Sequence, residues 1–186
     1  YTVIGCSRSA STFTHDKYFH YQMDISNDLD VKRTFSDIRN KKLAPNIFVN
    51  NAGIEIADII ALAKFKDAES VINVNLLGSF LMLKEILKLM QRNSYGRIIN
   101  LSSICVPLGT PGAAVYNASK AGIEAFGFTL ANECKAFDIT VNTIGLSFVE
   151  DTGMANARSD KTVLYAQKRM LKPSFLKIIE IINAIN

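Results

Sequence analysis

Short apolar runs alternate along this chain with longer stretches of helical periodicity. Tyr1–Cys6, Tyr18–Met23, Asn46–Val49, Arg97–Leu101 and Ile139–Ile144 are rich in β-branched and aromatic residues, and predict five strands. Ile47–Val49 and Ile98–Leu101 are hydrophobic almost without interruption, which suits strands covered on both faces, as in a parallel sheet. Between the strands the spacing predicts helices: from a cap at Ser26 or Asn27 to about Arg39, from Asp67 towards Arg92, and from Ala113 to Lys135. A terminal helix is expected with Pro173 in its first turn and Phe175, Leu176, Ile178, Ile179, Ile182 and Ile185 on its apolar side. This alternation predicts an α/β fold, a doubly wound parallel sheet in three αβα layers, with residues 1–186 as one domain.

Two helices carry more apolar surface than one sheet face would cover. Along Leu76–Arg92 the polar positions are mainly Lys84, Glu85, Lys88, Gln91 and Arg92, and the helix from Ala113 is dense in alanine and glycine. Part of this surface is expected to bury against a second subunit, making a dimer or tetramer through helices about 76–92 and 114–135.

Composition narrows the class. A hydrophobic content of 48% supplies a sizeable core, and a net charge of +4 excludes global disorder. Lysines and arginines are dispersed, which argues against a nucleic-acid partner. No apolar run reaches the roughly 18–20 residues of a membrane span, since Asn73, Asn75, Lys84 and Glu85 interrupt the best stretch. Cys6, Cys105 and Cys134 form no CxxC pair, and predict free thiols in a reducing, cytoplasmic setting. With His15 and His20 set apart from them, they predict no metal site.

The candidate chemistry lies in Tyr116-Asn117-Ala118-Ser119-Lys120, where tyrosine and lysine at i and i+4 share one helix face. A free phenol is a poor proton donor at neutral pH, and a nearby ammonium favours its phenolate form. Alone the pair is weak, because chance produces it readily, but its surroundings strengthen it. Ser102-Ser103 follows the Arg97–Leu101 run thirteen residues before Tyr116, where an open parallel sheet collects ligands. Asn50-Asn51-Ala52-Gly53 follows the preceding strand, and its glycine permits close backbone approach. Asn75, in a largely apolar stretch, is either a buried structural anchor or part of a proton relay.

Together these residues resemble the short-chain dehydrogenase/reductase family over nearly the whole chain. Its pattern is an NNAG segment, a helical asparagine, a serine after the next strand and YxxxK thirteen residues later. It falls here on Asn50–Gly53, Asn75, Ser103, Tyr116 and Lys120. Among its members the chain is most similar to the bacterial 3-oxoacyl-(acyl-carrier-protein) reductases, enzymes of fatty acid biosynthesis. The resemblance implies a Rossmann-like fold and carbonyl reduction with NADPH, a 3-oxoacyl thioester being the candidate substrate. An NADP-linked alcohol dehydrogenase of another substrate, or a non-catalytic nucleotide-binding subunit, stands beside it as an alternative. Ser103 would polarise the carbonyl and Tyr116 would exchange its proton. Lys120 would hold the nicotinamide ribose, and Asn75 would position a relay water.

The same resemblance implies that the cofactor meets Ser7 and Arg8, then Asp24 and Ile25, Asn51, Ala52 and Gly53, Tyr116 and Lys120, and finally Val149 and Thr152. The Cys6-Ser7-Arg8-Ser9 segment has no carboxylate to bind a ribose 2′-hydroxyl, whereas arginine and serine suit a 2′-phosphate, which favours NADP over NAD. Asp24 has a second reading as a helix cap.

Three departures from the family pattern carry expectations. Its first strand and Gly-rich TGxxxGxG turn would precede Tyr1, and its last strand would follow Asn186. The 186 residues are therefore expected to be part of a longer protein, with two strand edges left unpaired. Only Ser7–Asp16 separate the first two strand runs, so the usual crossover helix should be shortened or lost. Leu146-Ser147 stand where the family commonly has Pro-Gly. A substrate lid is expected over about 146–172, with Phe148, Met154, Leu164, Tyr165 and Met170 giving it an apolar side that suits either a greasy substrate or the lid's own packing.

Overall fold

In the computed structural model every strand pairing is parallel. Strand β1 (Val3–Ser7) pairs with β2 (Tyr18–Gln22), and β3 (Ile47–Asn50), β4 (Tyr95–Ser103) and β5 (Asp138–Leu146) form a second ladder in the order β3-β4-β5. The structure describes residues 1–150, 152, 164, 167–169 and 175–185. All five expected strands are present, and the register sets Asn50 opposite Asn100 and Ser103 opposite Leu146. The strands do not close into one continuous sheet. Among the described residues β1 has no partner but β2, and β3 none but β4. The two open edges expected from the sequence are thus present, and Val3, Ile47 and Val49 beside them are exposed. No helix interrupts the ten residues between β1 and β2.

Helix α1 (Asp28–Asn40) is capped by Asn27, whose side chain accepts from the Leu29 and Asp30 backbone N–H groups. Ser26 instead bonds to Asp24. Val31, Thr34, Phe35 and Ile38, spaced three to four apart, form its buried face. The next helical stretch begins at Phe65, two residues before the expected Asp67, as α2 (Phe65–Ile72). It passes through a π turn (Asn73–Gly78) and continues as α3 (Ser79–Arg92). Helix α4 (Cys105–Leu108) is one unforeseen turn after β4, and α5 spans Ala114–Glu133. The last helix, α6 (Ile178–Ile185), starts later than predicted. Phe175 and Leu176 lie before it because Leu176 bridges to Val149, its N–H donating to the Phe148 carbonyl. Pro173 lies outside the described residues.

The core joins α1, α3 and the strands through Met23, Phe35, Ile86, Met90, Ile98 and Ile139. By length and composition Phe65–Arg92 is long and apolar enough to cross a bilayer. Half of its most apolar segment is buried in the fold, and along the stretch Asn75, Ser79 and Glu85 bond to other parts of the protein. Burial pushes the Glu85 carboxyl up. Hydrogen bonds from Lys88 and from Arg39 on α1 outweigh that effect and hold it below its usual range, linking α1 to α3.

Candidate active site

The carboxyl ends of the strands open into one cavity of about 490 Å³. Ser7 and Arg8 reach it from the end of β1, Asp24 and Ile25 from the end of β2, and Asn51, Ala52 and Gly53 from the end of β3. Ser103 enters at the end of β4, Tyr116 and Lys120 from the first turns of α5, and Val149 and Thr152 from beyond β5. Every candidate site residue except Asn75 therefore lines a single space, as expected for a parallel α/β sheet.

Ser103 is buried, and its Oγ accepts from the Cys105 N–H at 3.2 Å, leaving the hydroxyl proton to be donated elsewhere. Tyr116 is buried against Cys105 and Ala113. Lys120 Nζ lies 5.9 Å from the centroid of the Tyr116 ring and donates to the Leu101 carbonyl at 2.8 Å. The i, i+4 spacing thus delivers both groups to one side of α5. Burial pulls the Lys120 pKa down to about 8, which leaves it mainly protonated at neutral pH.

Asn75 sits beneath the cavity wall. Its Oδ1 accepts from Ile54 N–H at 2.8 Å, and its Nδ2 donates to the Ile54 carbonyl at 2.9 Å and to Ser119 Oγ at 3.0 Å. Ser119 Oγ donates in turn to the Tyr116 carbonyl. Three protein partners occupy the amide, so the side chain acts here as an anchor between the loop after β3 and α5. Gly53 fits the same junction: a Cβ there would lie 3.2 Å from Asn75 Oδ1 and 3.6 Å from Lys120 Nζ.

The two asparagines of the NNAG segment separate. Asn50 is buried, donating to Asn100 Oδ1 and accepting from Ser79 Oγ, whereas Asn51 faces the cavity. Asp24 caps no helix. The Ser26 hydroxyl and backbone N–H donate to its carboxylate and hold it below the usual carboxylate range.

Sequence reasoning missed Cys105, Ile54 and Val74 in the wall, which carry no chemical signature. It also missed Glu124, one turn beyond Lys120, whose carboxylate accepts from Ser102 Oγ at 2.6 Å. The segment that replaces Pro-Gly stays in the cavity wall: Leu146 accepts from the Ile104 N–H, and Ser147 lines the space. Of the lid residues, Phe148 is buried against Phe175 and Leu164 is exposed. Met154, Tyr165 and Met170 lie outside the described residues.

Residues 6–162 match the family described as short chain dehydrogenase. The chain belongs to that family. A 3-oxoacyl-(acyl-carrier-protein) reductase of Synechocystis is 36% identical over 128 residues, covering 69% of this chain and 52% of the relative. One from Buchnera aphidicola is 31% identical, covering 98% of this chain and 77% of its own length. The chain thus spans about half the length of some of these relatives and about three quarters of others. A short chain dehydrogenase of Leptospira borgpetersenii, solved with bound NAD+, superposes with a TM-score of 0.87 at 22% identity, covering 99% of this chain and 74% of that one. That likeness establishes the Rossmann-like three-layer fold.

Proposed function

We propose that the protein reduces a carbonyl to an alcohol with NADPH, and that its substrate is a 3-oxoacyl thioester. The observation that carries the reading is the convergence of Ser103, Tyr116 and Lys120, from β4 and α5, on the same cavity that Ser7, Arg8 and Asp24 line from the β1–β2 ladder. The donor set fits a dinucleotide. A buried ammonium suits ribose hydroxyls near the reacting end, and an arginine with a serine suits a 2′-phosphate at the far end. When bound, the nicotinamide supplies the hydride that reaches the carbonyl carbon. Ser103 donates its free proton to the carbonyl oxygen and fixes its position. Tyr116 then transfers the phenolic proton to that oxygen as it becomes an alkoxide, and Lys120, charged at neutral pH, stabilises the phenolate left behind. Asn75 holds Ile54 and α5 in place around them. The named relatives support a 3-oxoacyl thioester as substrate, and buried Phe148 offers an apolar wall for an acyl chain. Exposed Leu77, Phe80 and Phe128 support a homo-oligomer.

Oxidation of NADPH, followed with a panel of 3-oxoacyl thioesters and simple ketones, tests the reading. Tyr116→Phe is expected to lower kcat by about 10²–10⁴-fold while NADPH still binds. Turnover that survives this substitution removes Tyr116 as the proton donor.

A further inference from the structure

The turn that carries Arg8 is held by a ladder of side chains from the neighbouring strand. In β2 the alternate residues Tyr18, His20 and Gln22 share one face. Gln22 Nε2 donates to the Arg8 carbonyl at 2.9 Å. His20 Nε2 lies 2.9 Å from the Ser9 carbonyl, which can only accept, so this ring nitrogen carries the proton. The other nitrogen, Nδ1, therefore accepts from the Tyr18 hydroxyl at 3.0 Å. The Ser9 carbonyl also receives the Ser7 hydroxyl at 2.7 Å. The carbonyls of Arg8 and Ser9, in successive peptide groups, are thus both fixed to β2, with Ser7 and Arg8 presented to the cavity. Gly5 is part of the same construction. A Cβ there would stand 2.2 Å from the Tyr18 hydroxyl, so the ladder can lie over β1 only because this position has no side chain. With no helix between β1 and β2, these bonds take over the ordering of the turn.

We infer that His20 and Gln22 are positioning residues for cofactor selectivity, holding the Ser7-Arg8-Ser9 turn as a preformed subsite for the 2′-phosphate of NADPH. The inference rests on the proposed NADPH reading and deepens it. A guanidinium on a fixed backbone meets a phosphate without further ordering cost, and a ribose 2′-hydroxyl gains little from it. Loosening the turn therefore weakens NADPH and spares NADH.

Dissociation constants for NADPH and NADH, with kcat at saturating NADPH, are measured for the wild type and for His20→Ala, His20→Gln, Gln22→Ala and Arg8→Ala. His20→Ala is expected to weaken NADPH about tenfold, the scale of one lost hydrogen bond, with NADH affinity and kcat unchanged. His20→Gln, whose amide nitrogen replaces Nε2, restores NADPH affinity. Gln22 is exposed, so Gln22→Ala leaves folding intact and should weaken NADPH severalfold in its own right. Equal losses for both nucleotides, or no loss in either alanine variant, overturn the ladder. The outcomes also separate the ladder from the cofactor reading. Selectivity that collapses in Arg8→Ala alone leaves that reading standing, whereas selectivity unchanged in Arg8→Ala removes it.

Discussion

Lys120 Nζ donates to the Leu101 carbonyl at 2.8 Å, tying α5 to β4 two residues before Ser103. The bond places a charge in the cavity wall at a cost, because burial lowers the lysine pKa from 10.5 to about 8. The folded state binds this proton less readily than the unfolded chain. Between about pH 8 and 10.5 the unfolded state therefore holds more protons, and this residue makes stability rise with pH. Lys120→Met should abolish turnover yet leave the protein at least as stable at neutral pH, and should remove this alkaline gain. Urea unfolding of both proteins across that range checks the sign. A variant less stable than the wild type at neutral pH contradicts the claim that the ammonium is held against its own preference. In the wild type, kcat/KM for reduction should fall above about pH 8 as the ammonium is lost.

Asn75 is expected to matter first through structure. It is 1% exposed, and its amide bonds both backbone groups of Ile54 and the Ser119 hydroxyl. Asn75→Ala leaves the half-buried N–H and carbonyl of Ile54 without these partners, a loss of about 1–3 kcal/mol. Asn75→Asp keeps the acceptor for Ile54 N–H but loses the donors, and should fall between the two. Denaturant midpoints give the size of the loss. Hydrogen exchange at the Ile54 amide locates it, since protection there should drop in Asn75→Ala and persist in Asn75→Asp. An Ile54 amide unchanged in Asn75→Ala would show that other contacts hold the loop.

Much of this arrangement is legible in local sequence. Strand β4 is visible because a parallel strand buried on both faces must be apolar nearly throughout, as Ile98–Leu101 is, and the other four show as short runs of β-branched and aromatic residues. Tyr116 and Lys120 are visible because helical spacing alone brings them together. The π turn at Asn73–Gly78 is not, because the side chain that anchors it finds its partners at Ile54 and Ser119, far along the chain. The start of α6 is hidden for a similar reason. Phe175 and Leu176 fit the helical stripe, but the bridge to Val149 draws Leu176 into an extended pairing. His20 and Gln22 read as ordinary strand residues until the turn they hold is seen.

The surface of α3 and α5 yields the last prediction. The π turn lies close to α5, for a Cβ on Gly122 would stand 2.7 Å from a methyl of Leu76. Beyond that contact Leu77 and Phe80 project from one helical stretch and Phe128, 75% exposed, from the other. Large aromatic rings left in water on neighbouring helices are costly in a monomer, and burying them together in a twofold interface recovers that apolar area. The protein is expected to sediment as a homo-oligomer, and Phe128→Glu to shift it towards monomer without unfolding it. Sedimentation velocity, with circular dichroism as the folding control, reads both effects. A wild type that sediments as a monomer, or a Phe128→Glu protein that keeps the wild-type assembly, shows that this face is not the interface.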